Sequence, residues 1–373
     1  MTVEENKSTT VVLDGKQYLY FGGTNYLGIA HRKELSDAAQ RAFDQYGFSA
    51  GASRLTSGEN SLMLALEKEL ATFAGSESAI VLPAGYLANS AIVDALEERI
   101  DAWVIQEGAH GSIQSAIGLS RKQVITDCPA RGGTVRERHS LPQSWRLGIF
   151  AEPIEPMTGR LFDCAGLERS VEKSDYIILD EAHSFGVLGD NGVGAQQHFN
   201  LKHGSNLVRT GTFSKALGSY GGFVAASNEV VAEIKRKSHI YKSSTALSPV
   251  VCAAAREALC LVVDDKANTV DKLKKNIAFV SQRLEKMIGA NFYNDGVPIF
   301  FLRNSPEIAK LRDSLPHSGI YVPTVSSYFA DFCQIGLRWT IQSGHSQDQL
   351  ERLLNQIAQH VNVADLGANR FDR

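Results

Sequence analysis

A carboxylate and a lysine, 35 residues apart, are the residues with the clearest chemical potential in this chain. Asp180 ends the apolar run 176–179, and Lys215 lies in a short loop of Gly, Thr and Ser residues. An apolar run that stops at a carboxylate is typical of a buried parallel strand whose C-terminal end opens into a ligand crevice. A carboxylate there can keep a pyridine nitrogen protonated, and a lysine can carry the same cofactor as a Schiff base. The pair predicts a pyridoxal 5'-phosphate (PLP) site.

Four segments of the sequence support this interpretation. They are needed because Asp180 and Lys215, each taken alone, have an ordinary structural explanation. An Asp after a strand is often a helix cap, and a Lys in a polar loop is usually solvated. The segments are similar to those of the α-oxoamine synthases, a family of fold-type-I PLP enzymes: 24–28 (TNYLG), 51–58 (GASRLTSG), 180–194 and 211–222. The resemblance extends over nearly the whole chain and implies a fold-type-I PLP-dependent transferase.

The elements that must position these residues follow an α/β pattern. Strand-length apolar runs alternate with helical patterns, at residues 79–82, 103–105, 147–151, 176–179, 207–210 and 223–226. Alternation of this kind predicts a mostly parallel central sheet with helices on both faces. The sequence thus predicts an α/β large domain built around such a sheet.

A second, smaller domain is predicted at the C-terminal end. A helical period over 270–288 leads into strand patterns at 298–302, 320–323 and 335–341. Ser346 and Gln349 have the spacing of a capping box, which predicts a closing helix. We therefore expect three parts, namely an N-terminal segment (1–45), a large PLP-binding domain (46–262) and a small α+β C-terminal domain (263–373).

Composition excludes several other classes of protein. The net charge of -3 predicts no nucleic-acid partner, and no apolar stretch has the length of a membrane span. The polar N-terminus lacks an apolar targeting segment, so the cytoplasm is the expected location. Five cysteines without a C-x-x-C pair argue against a disulfide framework and against a metal site.

The family resemblance implies roles for the residues around the lysine. Lys215 is expected to carry the cofactor, and Asp180 to form a salt bridge with its pyridine nitrogen. His183 is expected to donate a hydrogen bond to the ring hydroxyl. Thr212 and Ser214 offer hydroxyls to the phosphate.

Further cofactor contacts are expected from three other segments. Ala84, Gly85 and Tyr86 follow a predicted strand and open a helix, so their backbone N–H groups can receive a phosphate. An ordinary strand-to-helix turn is the alternative for this segment. The resemblance makes His110 the residue that stacks on the cofactor ring, and it places Glu152 near the cofactor.

The resemblance also implies substrate and subunit contacts. Arg338 aligns with an arginine that binds the substrate carboxylate, a task that suits its planar guanidinium. Asn25 and Thr24 fall at positions near the substrate. Thr245 matches a residue that reaches the phosphate site of a partner subunit, which implies a homodimer with shared active sites.

The implied activity is a PLP-dependent acyl transfer. An amino acid and an acyl thioester, carried by coenzyme A or by an acyl carrier protein, would condense with loss of CO2 to an α-amino ketone. A short arm before residue 24, the stretch 124–129 and Pro156 differ from the family pattern, so we expect an unusual acyl donor. An aminotransferase or a PLP lyase acting on a small amino acid is the alternative. A regulatory protein without turnover is disfavoured by the complete set of Asp180, His183 and Lys215.

Overall fold

The computed structural model describes residues 2–127, 133–202, 204–264, 268–288, 294–325 and 336–361. The chain divides into two compact units. The terminal unit consists of Met1–His31, Glu155–Leu161 and Ala267–Arg373, and the central unit consists of Arg32–Ile154 and Phe162–Lys266. The strand Lys16–Tyr20 pairs in parallel with Ile320–Tyr321, so this N-terminal strand lies in the same unit as the C-terminal part of the chain. The predicted three-part division stays a prediction.

The secondary structure elements are numbered in chain order. The strands are β1 (Val3–Asn6), β2 (Thr10–Leu13), β3 (Lys16–Tyr20), β4 (Ser78–Leu82), β5 (Ala102–Gln106), β6 (Gln123–Asp127), β7 (Leu147–Ala151), β8 (Tyr176–Asp180), β9 (Leu207–Thr212), β10 (Gly222–Ala226), β11 (Ile299–Arg303), β12 (Ile320–Tyr321), β13 (Thr324–Val325) and β14 (Gly336–Thr340). The helices are α1 (Lys33–Tyr46), α2 (Ser61–Ala74), α3 (Gly85–Leu96), α4 (Gly111–Ile117), α5 (Val135–His139), α6 (Cys164–Arg169), α7 (Ala195–His198), α8 (Asn228–Lys237), α9 (His239–Ser243), α10 (Pro249–Asp264), α11 (Thr269–Ile288), α12 (Pro306–Ser314) and α13 (Gln347–His360). No helix in the described ranges is long and apolar enough to cross a membrane.

A seven-stranded sheet forms the centre of the central unit, with the strand order β4-β10-β9-β8-β7-β5-β6. All pairs are parallel except those of β10, which runs antiparallel to β4 and to β9. The connection 213–221 between β9 and β10 is shorter than the roughly dozen residues that a parallel crossover needs. The predicted mostly parallel sheet is confirmed.

Both faces of this sheet are buried, because successive side chains of a strand point in opposite directions. Tyr176 and Ile178 of β8 pack in one apolar cluster with residues of α3 and α8. Ile177 and Leu179 pack in a second cluster with Leu167 of α6. The continuous apolar run that predicted β8 is therefore explained by helices on both sides.

The terminal unit contains two smaller sheets, β1-β2-β3-β12 and β11-β14-β13. The capping box that opens α13 is present, since Ser346 and Gln349 exchange side-chain to backbone hydrogen bonds. His345, just before that cap, is buried and stacks on Phe21. Its Nδ1 accepts the N–H of Gln342 at 3.0 Å, and its Nε2 lies 3.1 Å from the carbonyl of Tyr20. Burial lowers the pKa of His345 to about 4.

Candidate active site

The candidate active site lies at one edge of the seven-stranded sheet. β4, β5, β7, β8 and β9 run in one direction, so their C-terminal ends meet at this edge. The segments that follow these ends carry most of the predicted cofactor residues: Ala84, Gly85, Tyr86, His110, Glu152, Asp180, His183, Thr212, Ser214 and Lys215. The carboxyl edge of a parallel sheet is where α/β proteins bind their ligands.

Asp180 is the last residue of β8, and its buried carboxylate is held by two donors. Asn89 Nδ2 donates to Asp180 Oδ2 at 2.8 Å, and the N–H of Ala182 donates to Asp180 Oδ1 at 3.1 Å. The two hydrogen bonds hold the carboxylate of Asp180 in one orientation, as a partner of a pyridinium nitrogen requires.

His110 precedes α4 and is half-buried beside Asp180 and Lys215. Its backbone N–H donates to Glu152 Oε2 at 2.8 Å, which ties the end of β5 to the end of β7. Burial lowers the pKa of the imidazole, the Asp180 carboxylate opposes that shift, and the Lys215 ammonium adds to it. The balance of these effects lowers the pKa of His110 and favours its neutral imidazole.

Lys215 is half-buried in the turn that joins β9 to β10. The turn is closed by backbone hydrogen bonds from Phe213 N–H to the Gly221 carbonyl and from Gly218 N–H to the Lys215 carbonyl, both 3.0 Å. Thr212 Oγ1 donates to the Gly221 carbonyl at 2.8 Å and lies 2.6 Å from Ser214 Oγ. The lysine therefore projects from a rigid turn.

Two glycines allow the turn after β4 to approach β9 and β10 closely. A Cβ on Gly85 would lie 2.7 Å from Thr212 Cβ, and a Cβ on Gly222 would lie 2.4 Å from the carbonyl carbon of Ala84. Any side chain at either position would displace backbone. The N-terminus of α3 and the hydroxyl of Thr212 are thus brought together.

These residues fit PLP. Ala84 occupies the N-cap of α3 and has no side chain that could cap it, so the first N–H groups of this helix can receive a phosphate. Thr212 adds a hydroxyl, Asp180 a carboxylate and Lys215 an amine, which are the groups that PLP enzymes use. The donor set matches the cofactor predicted from the sequence.

Three further predicted residues lie in the central unit. His183 is buried in the turn that follows β8. The hydroxyl of Tyr86 donates to the Gly111 carbonyl at 3.2 Å, so Tyr86 links α3 to α4. Thr245 is exposed and forms an isolated antiparallel bridge with Ser53. The cofactor and partner-subunit roles of these residues stay predictions.

Arg338, in the terminal unit, lies in the middle of β14 and is buried. Its Nε donates to the carbonyl of Pro156 at 2.8 Å. Burial raises the pKa of the Tyr26 hydroxyl to about 12, against the charge and hydrogen bond of Arg338, which lower it. Arg338 is therefore held at two points, and its role with the substrate carboxylate stays a prediction.

Asn25 and Thr24 form a turn before α1, also in the terminal unit. Asn25 Nδ2 donates to Ser8 Oγ at 3.2 Å, and Asn25 Oδ1 accepts the N–H of Ala30 at 3.4 Å. The carbonyl of Thr24 accepts the N–H of Tyr26 at 2.8 Å. These contacts stabilise the turn, and the substrate roles of Asn25 and Thr24 stay predictions.

Asn89 is the residue of the site that the sequence analysis missed. It lies on α3, one turn after Gly85, and none of its surface is exposed. The available signal is a polar pair, Asn89 and Ser90, between apolar residues in the first half of a mostly apolar helix. A buried amide in such a helix needs partners on the neighbouring elements.

Comparisons with known proteins agree with the predicted family, fold and cofactor. Residues 16–357 match the family described as aminotransferase class I and II. The chain is 33% identical to the 8-amino-7-oxononanoate synthase of Geotalea daltonii, with 96% of this chain and 92% of that protein covered. It is 34% identical to the 8-amino-7-oxononanoate synthase of Geobacter sulfurreducens, with the same coverage. A solved serine palmitoyltransferase from S. paucimobilis with a bound PLP–myriocin aldimine superposes with a TM-score of 0.87 at 23% identity, over 96% of this chain and 91% of that one.

The fold and the site together define a PLP-dependent transferase of fold type I. The chain belongs to the aminotransferase class I and II family, and within it the resemblance to the α-oxoamine synthases is confirmed. PLP as the cofactor is confirmed in the same way.

Proposed function

We propose that the chain is an acyltransferase that condenses an amino acid with an acyl thioester, releasing CO2 and forming an α-amino ketone. The observation that carries the proposal is the grouping of Lys215, Asp180 and His110 at one sheet edge. Its relatives named 8-amino-7-oxononanoate synthase, which cover nearly the whole chain, support the acyl transfer. The name 8-amino-7-oxononanoate synthase belongs to those relatives, and the proposal for this chain covers the reaction type and not a particular acyl group.

When bound, PLP supplies an electron sink that stabilises negative charge on the α-carbon of an amino acid. Asp180, whose carboxylate is fixed by two hydrogen bonds, would hold the pyridine nitrogen in its protonated form. His110 would lie against one face of the cofactor ring. The amine of Lys215 would hold the cofactor and is the group that could take a proton from the α-carbon.

The α-carboxylate of the amino acid needs a cationic partner, and we assign this role to Arg338. A guanidinium can hold a carboxylate through two parallel hydrogen bonds. Fixing the carboxylate fixes which bond of the α-carbon is aligned for cleavage, and therefore which reaction follows. The hydrogen bond from Arg338 Nε to the Pro156 carbonyl fixes one nitrogen of the guanidinium, which supports this assignment.

The homodimer with Thr245 in the partner's phosphate site is part of the proposal. The side chain of Thr245 is exposed, and the segment that carries it is anchored by the Ser53 bridge and by a 3.0 Å hydrogen bond from Ala246 N–H to the Ala52 carbonyl. An exposed hydroxyl on an anchored segment suits a ligand for a second subunit. A cytoplasmic location likewise stays a prediction.

The test is a panel of amino acids supplied with an acyl-CoA or with an acyl carrier protein. We expect one amino acid to release free thiol and CO2 in equal amounts, and Lys215→Ala to release neither. The carrier that supports thiol release identifies the acyl donor. If amino acids yield 2-oxo acids with no thiol and no CO2, the chain is an aminotransferase and the proposed acyl transfer is wrong.

A further inference from the structure

A chain of buried hydrogen bonds joins β9, α3, β8 and the start of α4. Thr210 Oγ1 donates to Asn89 Oδ1 at 2.8 Å. Asn89 Nδ2 donates to Asp180 Oδ2 at 2.8 Å and to Ser112 Oγ at 3.0 Å. Ser112 Oγ lies 2.9 Å from His110 Nδ1. Asn89, Ser112 and Thr210 are all buried, so these bonds are protected from water.

The donor inventory fixes the orientation of the Asn89 amide. A side-chain amide has one oxygen acceptor and one NH2 group with two hydrogens. The carboxylate of Asp180 accepts only, so the NH2 group must face it, and the oxygen must then face the hydroxyl of Thr210. The two hydrogens of Asn89 are used by Asp180 and Ser112, so a flipped amide would lose both bonds.

The same inventory fixes the tautomer of His110. Since Ser112 Oγ accepts from Asn89, its own hydrogen is available to His110 Nδ1. The backbone N–H of Ser112 points to the same nitrogen, at 3.2 Å. A nitrogen that accepts from two donors carries no proton, so the neutral ring is protonated on Nε2.

We propose that Asn89 is a positioning residue of the active site, whose amide orients the Asp180 carboxylate and, through Ser112, directs a second donor to His110 Nδ1. One buried side chain thereby governs both groups that flank the cofactor ring. Thr210 holds the amide in the orientation that serves both. The inference rests on the PLP site and is independent of the acyl transfer.

The test compares Asn89→Leu, which keeps the volume and removes the polar groups, with Ser90→Ala on the same helix as the matched control. With PLP bound and no substrate present, we expect Asn89→Leu to raise the pH midpoint of the lysine-bound chromophore, because a misaligned Asp180 weakens the pyridinium charge. We expect its dissociation constant for PLP to rise about tenfold, and kcat to fall roughly 10- to 100-fold with KM changed by less than about twofold, as for other outer partners of site ligands. Ser90→Ala should match the wild type in all three.

A second readout uses the protein without cofactor. In apoprotein labelled with 15N-histidine, the His110 signals, assigned with a His110→Gln variant, are expected to show the Nε2–H tautomer. Asn89→Leu should shift the Nδ1 signal, because the hydroxyl of Ser112 is then free to rotate away, while the backbone N–H of Ser112 keeps the tautomer the same. A variant that merely loses stability would not move these signals.

Unchanged spectra and an unchanged PLP dissociation constant in a folded Asn89→Leu protein would overturn the proposal. If Asn89→Leu does not fold, the Thr210→Val variant tests the proposal instead, because it removes the hydroxyl that donates to Asn89 Oδ1 and keeps Asn89 itself. It should move the chromophore midpoint in the same direction and by less, and no shift would count against the proposal. Neither measurement contains an amino acid or a thioester, so a failure here is separate from a failure of the proposed acyl transfer.

Discussion

Replacing Asp180 by asparagine should leave PLP bound and severely reduce turnover. The substitution keeps the shape of the side chain and removes its charge. An amide cannot keep the pyridine nitrogen protonated, so the cofactor loses its strength as an electron sink. Lys215 and Thr212 are untouched, and the cofactor therefore stays attached.

The structure gives the size of the effect in two parts. Both carboxylate oxygens of Asp180 accept a hydrogen bond, from Asn89 Nδ2 and from the N–H of Ala182. An asparagine offers only one acceptor, so one buried donor is left facing an NH2 group, at a cost of about 1–3 kcal/mol in stability. Loss of the charge should lower kcat by roughly 10²- to 10³-fold, the range for one lost electrostatic stabiliser in an active site.

The assay measures kcat, the bound cofactor by its visible absorbance and the free energy of unfolding in urea. Asp163→Asn is the matched control, because Asp163 caps α6 through a 2.7 Å bond from Gly166 N–H and asparagine caps equally well. It should change none of the three. If the turnover of Asp180→Asn stays within about threefold of the wild type, Asp180 only stabilises its turn and has no role in the electronics of the cofactor.

Three further perturbations have defined outcomes. Lys215→Ala should abolish turnover, and borohydride reduction of the wild type should fix the cofactor on the peptide that contains Lys215; a cofactor adduct on another lysine would contradict this. Lys215→Ala mixed and refolded with Thr245→Glu should regain about a quarter of wild-type activity, because half of the dimers are hybrids with one intact site; an active monomer in sedimentation would exclude shared sites. The free energy of unfolding should fall by up to about 3 kcal/mol as the pH drops from 6.5 to 4, because the unfolded chain protonates His345 at its usual pKa while the buried ring resists until about pH 4. His345→Gln should flatten this dependence, and an unchanged slope would show that other groups cause it.

The large sheet could be predicted because its strands are buried on both faces. Such strands are continuous apolar runs, as in β7 and β8, and they are visible without knowledge of their neighbours. β6, at the sheet edge, has three exposed and two buried residues, and β1 is exposed throughout, so neither carries that signal. The strand conformation of β6 depends on its parallel pairing with β5, and that of β1 depends on its antiparallel pairing with β2.

The candidate site could be predicted at positions where the chemistry requires a residue type that is unusual for its place in the chain. A lysine in a Gly and Ser turn and an aspartate at a strand end stand out in the sequence, and the structure places Lys215 and Asp180 near His110. Asn89 does not stand out, because its role depends on which elements surround α3. Only the fold shows that β8, β9 and α4 each direct a polar group towards it.

The residue after Asp180 shows how structural and functional contributions to this site can be separated. Glu181 points away from Asp180 and forms a fully buried ion pair with Arg209 on β9, while Glu181 Oε2 accepts the N–H of Ala195 at 2.8 Å. The pair holds the loop 181–195 against the sheet, and Gly194 is required because a side chain there would occupy the position of the Glu181 carboxylate. Breaking a buried pair on one side costs about 3–5 kcal/mol, so a Glu181 variant should lose activity and stability together. Asn89 acts on the orientation of groups that remain folded, so Asn89→Leu should lower kcat even in the fraction of the protein that stays folded. The motif Asp180-Glu181 therefore combines the carboxylate that we propose for the cofactor with, in the next residue, the ion pair that fixes the backbone beside it.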